Sequence, residues 1–226
     1  MQSMADPRFS AVLFDIDGTL VDSNYLHVDA WLRAFADVGH PVDAWRIHRA
    51  IGMDSSKLLE TLLGDETERL GEDAKARHTE HYQRDGERLR TFDQAQDLLR
   101  ALADRGFKVV LATSAPAEEF EVLQQVLQID DAIAEYTTAE DVTTAKPEPD
   151  VVQMALKKAG VEPGDAIMIG DAVWDMEAAG RAGVKGIGVR SGGVSTGELT
   201  DAGAVAVYDD PAHLLRELDE SPLFGA

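Results

Sequence analysis

The chain has 226 residues, 44% of them hydrophobic, enough for one α/β domain or a core with a modest insertion. It carries 42 acidic against 21 basic residues, and a formal net charge of −21 repels nucleic-acid phosphates and anionic lipid headgroups alike. Cysteine is absent, which excludes disulfides, thiol catalysis and thiolate metal sites.

The opening M-Q-S-M-A-D-P-R-F-S has no basic segment followed by an apolar run, so no secretory signal is expected. No apolar stretch approaches the roughly 20 residues of a membrane helix. A cytoplasmic protein with neither nucleic-acid nor membrane partners is the expectation. Nothing in the sequence speaks to oligomeric state.

In chain order, Ala11–Phe14 is an apolar run of strand length that ends abruptly in polar residues. From Ser23 the pattern turns helical, with Leu26, Ala30, Trp31, Ala34, Phe35 and Val38 at spacings of one, three and four, closed by Gly39 and Pro41. Val42 to Arg90 continues as helical pieces broken at Gly52, Gly64 and Gly86, with no good strand among them. Asp93–Asp104 reads as an amphipathic helix with Gly106 as its C-terminal stop, and Phe107–Ala112 as a buried strand. Helices are expected at Glu118–Leu127, Asp150–Ala159, Met176–Ala182 and His213–Leu218, and strands at Ala166–Ile169, Gly186–Val189 and Ala204–Val207. Continuous apolar strands alternating with helices imply an α/β fold: a doubly wound parallel sheet covered on both faces, with an all-helical insertion. The expected boundaries are a core of 1–20 and 91–226 and a helical cap of 21–90.

Ligands of such sheets bind at the carboxyl ends of the strands. Asp15, Asp17, Gly18 and Thr19 follow the first strand, Thr113 and Ser114 the second, and Gly170, Asp171 and Asp175 a later one. Lys146 and Pro147 precede the Asp150 helix. Four segments thus deliver carboxylates, hydroxyls and an amine to one edge.

The segment D-I-D-G-T-L-V-D-S (Asp15–Ser23) resembles the first signature of the haloacid dehalogenase superfamily. Thr113 after an apolar strand resembles the second, Lys146 in K-P-E-P the third, and G-D-A-V-W-D (Gly170–Asp175) the fourth. All four stand in family order, and the resemblance covers essentially the whole chain. It implies a Mg²⁺-dependent phosphatase acting on a small phosphorylated metabolite. Asp15 would be the nucleophile, forming an aspartyl phosphate, and Asp17 the general acid and base. Thr19 would orient Asp17. Asp15, the backbone carbonyl of Asp17, and Asp171 would hold the metal, with Asp175 anchoring its shell. Thr113, the backbone N–H of Ser114, and Lys146 would bind the phosphoryl oxygens. Relatives that cleave carbon–halogen or carbon–phosphorus bonds generally lack an acid at the Asp17 position.

The helical insertion resembles the family's helical caps of the first type, with I-G-M-D-S-S-K (Ile51–Lys57) as the substrate-specificity loop. His27 and Trp31 are similar to the β-phosphoglucomutase-like branch. That mutase has an arginine shortly after the loop glycine, whereas Met53, Asp54, Ser55 and Ser56 follow Gly52 here. A phosphatase is favoured over a mutase, and both over a non-catalytic binding protein that keeps the site as a relic.

Blander roles compete at several positions. Thr113 could be a loop hydroxyl or helix N-cap, Lys146 a surface lysine, and Asp171 and Asp175 stabilisers of a helix N-terminus. His27 suits hinge packing as well as substrate contact. His78 and His81, among Arg77, Glu80 and Arg84, are expected on a solvated face. Ser191–Leu199 (S-G-G-V-S-T-G-E-L) lacks the Lys-Ser or Lys-Thr pair of a P-loop, and Ser195 with Glu198 fits a capping box.

Overall fold

A computed structural model of the protein describes residues 7–142, 144 and 146–225. Strand β1 (Ala11–Phe14) leads into helices α1 (Asn24–Asp37), α2 (Ala44–Ala50), α3 (Ser55–Leu63) and α4 (Thr67–Arg84). The chain continues through α5 (Ala95–Asp104), β2 (Lys108–Leu111), α6 (Ala117–Leu127), β3 (Glu135–Tyr136) and α7 (Asp150–Ala159). It finishes with β4 (Ala166–Gly170), α8 (Val173–Arg181), β5 (Lys185–Val189), α9 (Thr196–Asp201), β6 (Ala204–Tyr208) and α10 (Pro211–Arg216). The residues divide into two compact units, one of the described residues up to Asp22 and from Arg90 onward, the other Ser23–Leu89.

In the first unit the strands form one parallel sheet in the order β3-β2-β1-β4-β5-β6. Strand β1 lies between β2 and β4, with Phe14 level with Leu111 and Ile169. Alternate residues Ala11, Leu13, Val110, Ala112, Ala166 and Met168 share a buried cluster with Val151, Val152 and Ala155 of α7 and Ala178 and Ala179 of α8. The intervening residues Val12, Phe14, Val109, Ile167 and Ile169 are equally buried. Helix α5 packs on β2, and α10 on α5 and β6. Burial on both faces explains why these strands read as continuous apolar runs. The strand order reverses direction at β1, and the carboxyl ends of β1 and its neighbours are where open sheets of this kind bind ligands.

Several boundaries differ from the sequence expectation. Strand β3 was not expected, because a two-residue exposed edge strand carries no periodic signal. Helix α5 starts at Ala95 rather than Asp93, since Gln94 is left-handed at φ 55°. Helix α8 starts at Val173 rather than Met176, as Asp175 Oδ2 accepts the Ala172 N–H at 3.0 Å and closes the first turn. Helix α10 starts at Pro211, where Asp210 accepts the His213 N–H at 2.7 Å. The Ser195–Glu198 capping box forms at the start of α9 as expected.

The second unit is helical throughout. Trp31, Ala34 and Phe35 of α1 pack with Ile47 of α2, Leu58, Leu59 and Leu62 of α3, and Leu70 and Ala74 of α4. His78 is buried rather than solvated, which corrects the sequence reading. Leu70, Ala74, His78 and Tyr82 recur every four residues and form the stripe of α4 that faces α1, while Arg77, Glu80 and Arg84 take the other side. The His78 ring stacks on Trp31 at 4.1 Å, and its Nε2 meets Nδ1 of His27 at 3.1 Å. His27 in turn stacks on Tyr82 at 3.9 Å, so it has a packing role inside this unit. His81 Nε2 pairs with Asp37 Oδ2 at 2.8 Å. Burial, then the neighbouring rings of His27 and His81, push His78 down to about 2. Among the described residues no helix is long and apolar enough to cross a membrane.

Candidate active site

Beyond Phe14 the chain leaves the sheet without leaving its hydrogen bonds. The Asp15 N–H donates to Ile169 O at 3.0 Å, so Asp15 sits at the sheet edge. The carbonyl of Ile16 then accepts from Thr19, Leu20 and Val21 at 3.2, 2.8 and 3.0 Å, curling the chain into a tight turn. Gly18, at φ 74°, supplies the left-handed residue this turn requires, and its N–H donates to Val21 O at 2.9 Å. Asp17, half-buried, precedes it. Thr19 is fully buried, and its hydroxyl donates to Asp171 Oδ1 at 3.0 Å. The proton expected to orient Asp17 is therefore directed at Asp171.

Lys146, only 3% exposed, inserts its ammonium between two carboxylates. Nζ lies 2.5 Å from Asp15 Oδ1 and 2.7 Å from Asp175 Oδ1. Asp175 is held from its other side by the Ala172 N–H, so the helix-capping role foreseen for it coexists with the ion pair. Its approach to the strand requires Gly170: a Cβ there would stand 2.5 Å from the Asp175 carboxyl. Burial opposes the Lys146 charge, but Asp15 and Asp175 outweigh it and hold the ammonium above the ordinary lysine range. Burial also pushes Asp15 up, to about 7, with Asp175 and Asp17 adding repulsion and Lys146 pulling the other way.

Asp15, Asp171 and Asp175 are all buried, and each places one carboxylate oxygen within 4.8 Å of the others. One ammonium does not balance three buried carboxylates, and the donors are hard oxygens. The set fits a divalent cation of the Mg²⁺ type.

Thr113 is buried at the end of β2, where its Oγ1 accepts the Ala115 N–H at 3.0 Å and its carbonyl accepts the Thr137 hydroxyl at 2.8 Å. Ser114 follows, half-buried. Sequence reasoning missed Ser191, whose hydroxyl donates to Gly18 O at 2.7 Å. A signal is present in the sequence, since Ser191 stands two residues past β5 and residues just beyond the strand ends share one edge.

Residues 9–183 match the family of haloacid dehalogenase-like hydrolases. A phosphoglycolate phosphatase of Rhodospirillum rubrum is 32% identical over 214 residues, covering 90% of this chain and 88% of that one. A pyrophosphatase of Bacillus velezensis is 27% identical over 191 residues, covering 82% of this chain and 85% of that one. The crystal structure of a hydrolase from Pseudomonas syringae superposes with a TM-score of 0.88 at 38% identity, covering 93% of this chain and 98% of that one. With the four signature segments meeting at one sheet edge and the match spanning most of the sequence, this chain is an enzyme of the haloacid dehalogenase-like hydrolase family.

Proposed function

We propose that the protein is a Mg²⁺-dependent phosphatase that hydrolyses a small phosphomonoester through an aspartyl phosphate on Asp15. The observation that carries this reading is the buried cluster in which Lys146 joins Asp15 to Asp175 beside Asp171. Burying that much charge against the sheet edge is costly, and a catalytic carboxylate is a reason to retain it. Asp15, the Asp17 carbonyl, Asp171 and Asp175 would hold the cation. When bound, the cation would offset repulsion between the phosphate dianion and the carboxylates and stabilise charge on the phosphoryl oxygens.

Asp15 attacks phosphorus in line, and the bond from phosphorus to the ester oxygen breaks. The leaving alkoxide takes its proton from Asp17. Water then attacks the aspartyl phosphate and gives a proton to Asp17, which releases phosphate and restores Asp15. Lys146 fixes the orientation of the Asp15 carboxylate and balances charge on the transferring group, while the Thr113 hydroxyl and the Ser114 N–H bind its oxygens. Thr19, by holding Asp171, orients a metal ligand rather than the acid. The helical unit, residues 23–89, would act as the cap that reads the leaving group. The acidic, cysteine-free chain suits a cytoplasmic enzyme of small-metabolite chemistry.

The test is a panel of phosphorylated metabolites, including phosphoglycolate, hexose phosphates, nucleoside monophosphates and pyrophosphate, with Mg²⁺ and with excess chelator. At least one ester should release phosphate only when the metal is present. Asp15→Asn should abolish turnover. A variant that kept a tenth of it, a barrier change of only about 1.4 kcal/mol, would make Asp15 a bystander.

A further inference from the structure

The loop that carries Asp17 is held by its own backbone bonds, by the Thr19 hydroxyl on Asp171, by the Phe92 N–H on Leu20 O, and by a bond from Ser191 beyond β5. Ser191 lies just beyond β5, is half-buried, and donates its hydroxyl proton to the Gly18 carbonyl across 173 residues of sequence. Gly18 links two peptide planes. The plane carrying the Asp17 carbonyl is held through the Gly18 N–H to Val21 O; the next plane is held at the Thr19 N–H by Ile16 O, a long bond of 3.2 Å, and at its carbonyl by Ser191 at 2.7 Å. Glycine resists rotation about its own backbone bonds less than any other residue, so a hinge of this kind stays put only if both planes are anchored. Ser195 and Glu198, a few residues on, cap α9, while Ser191 reaches the β1 loop.

We infer that Ser191 is a positioning residue for Asp17: by clamping the Gly18 carbonyl it holds the general acid at the distance needed to protonate the leaving group. The inference rests on the phosphatase reading. Misplacing an acid by a fraction of an ångström slows proton transfer while leaving the nucleophile in place. Its signature is dependence on the leaving group, because a good leaving group departs without a proton.

The experiment compares kcat/KM, which reports steps up to phosphorylation of Asp15, for p-nitrophenyl phosphate and for an alkyl phosphate that the wild-type enzyme hydrolyses. Ser191→Ala should lose about tenfold with the alkyl ester, in the range set by one hydrogen bond, and under about threefold with the aryl ester. Ser191→Thr, which retains the hydroxyl, should recover most of the alkyl activity. Both variants should unfold within a few degrees of the wild-type Tm, since the site is half-buried and no apolar packing is removed. Equal losses with both esters, no loss, or a loss that threonine does not recover would overturn the role given to Ser191 while leaving the phosphatase reading intact. A wild-type enzyme inert toward every ester of the metabolite panel would overturn the phosphatase reading, and this inference with it.

Discussion

His78 is expected to make the helical unit lose stability in mild acid. His78 packs between Trp31 at 4.1 Å and the His27 nitrogen at 3.1 Å, and burial pushes it down to about 2. The unfolded chain binds the proton near pH 6.5, far above the folded state, so stability is intact above that value. It then drains as pH falls from about 6.5 toward 2, by about 1.4 kcal/mol per pH unit. Between pH 7 and 5 the loss from this residue alone comes to about 2 kcal/mol. His78→Gln is the control, because an amide can still pair with His27 but does not titrate in this range. Urea unfolding followed by tryptophan fluorescence, which senses Trp31 beside His78, should give wild-type and variant curves that converge as pH falls. The wild-type advantage at pH 7 should shrink by about 2 kcal/mol at pH 5. Parallel pH dependences for the two proteins would mean that His78 takes up its proton without unfolding, and the argument from burial would be refuted.

Three predictions bear on the proposed catalytic edge. Asp17→Asn should lower kcat/KM for alkyl phosphates far more than for p-nitrophenyl phosphate, as read in rapid-quench measurements of Asp15 phosphorylation; equal factors would remove Asp17 as the acid. Thr19→Val keeps the shape of the side chain but removes the 3.0 Å bond to Asp171, and should raise the Mg²⁺ concentration for half-maximal activity by about tenfold or more. An unchanged Mg²⁺ titration would show that Asp171 needs no such anchor. Gly170→Ala puts a methyl group 2.5 Å from the Asp175 carboxyl, and should cost about 1–3 kcal/mol in urea unfolding through forced displacement of Asp175. It should also abolish most activity, because Asp175 pairs with Lys146.

The sequence by itself determined the class of fold and which residues stand as candidates at one edge of its sheet. Strand β1, from Ala11 to Phe14, is a short apolar run flanked by polar residues, and both signals are local. A strand buried on both faces has no choice but to be apolar throughout, and the residues after it inherit a position at the strand end. That logic places Asp15, Thr113, Asp171 and Asp175 at the strand ends, whereas Lys146 stands ahead of α7 and follows from the family resemblance. The tertiary structure decided which of them touch. Thr19 bonds Asp171 across 152 residues, Lys146 bonds Asp15 across 131, and Ser191 bonds Gly18 across 173. Such pairs depend on β1, β4 and β5 lying side by side in the sheet, and that order is a property of how helices cover two faces rather than of any local window. The burial of His78 was also decided there. Its charged sequence neighbours lie on the opposite side of α4, and only the packing of α1 against the Leu70–Ala74–His78–Tyr82 stripe takes its ring out of water.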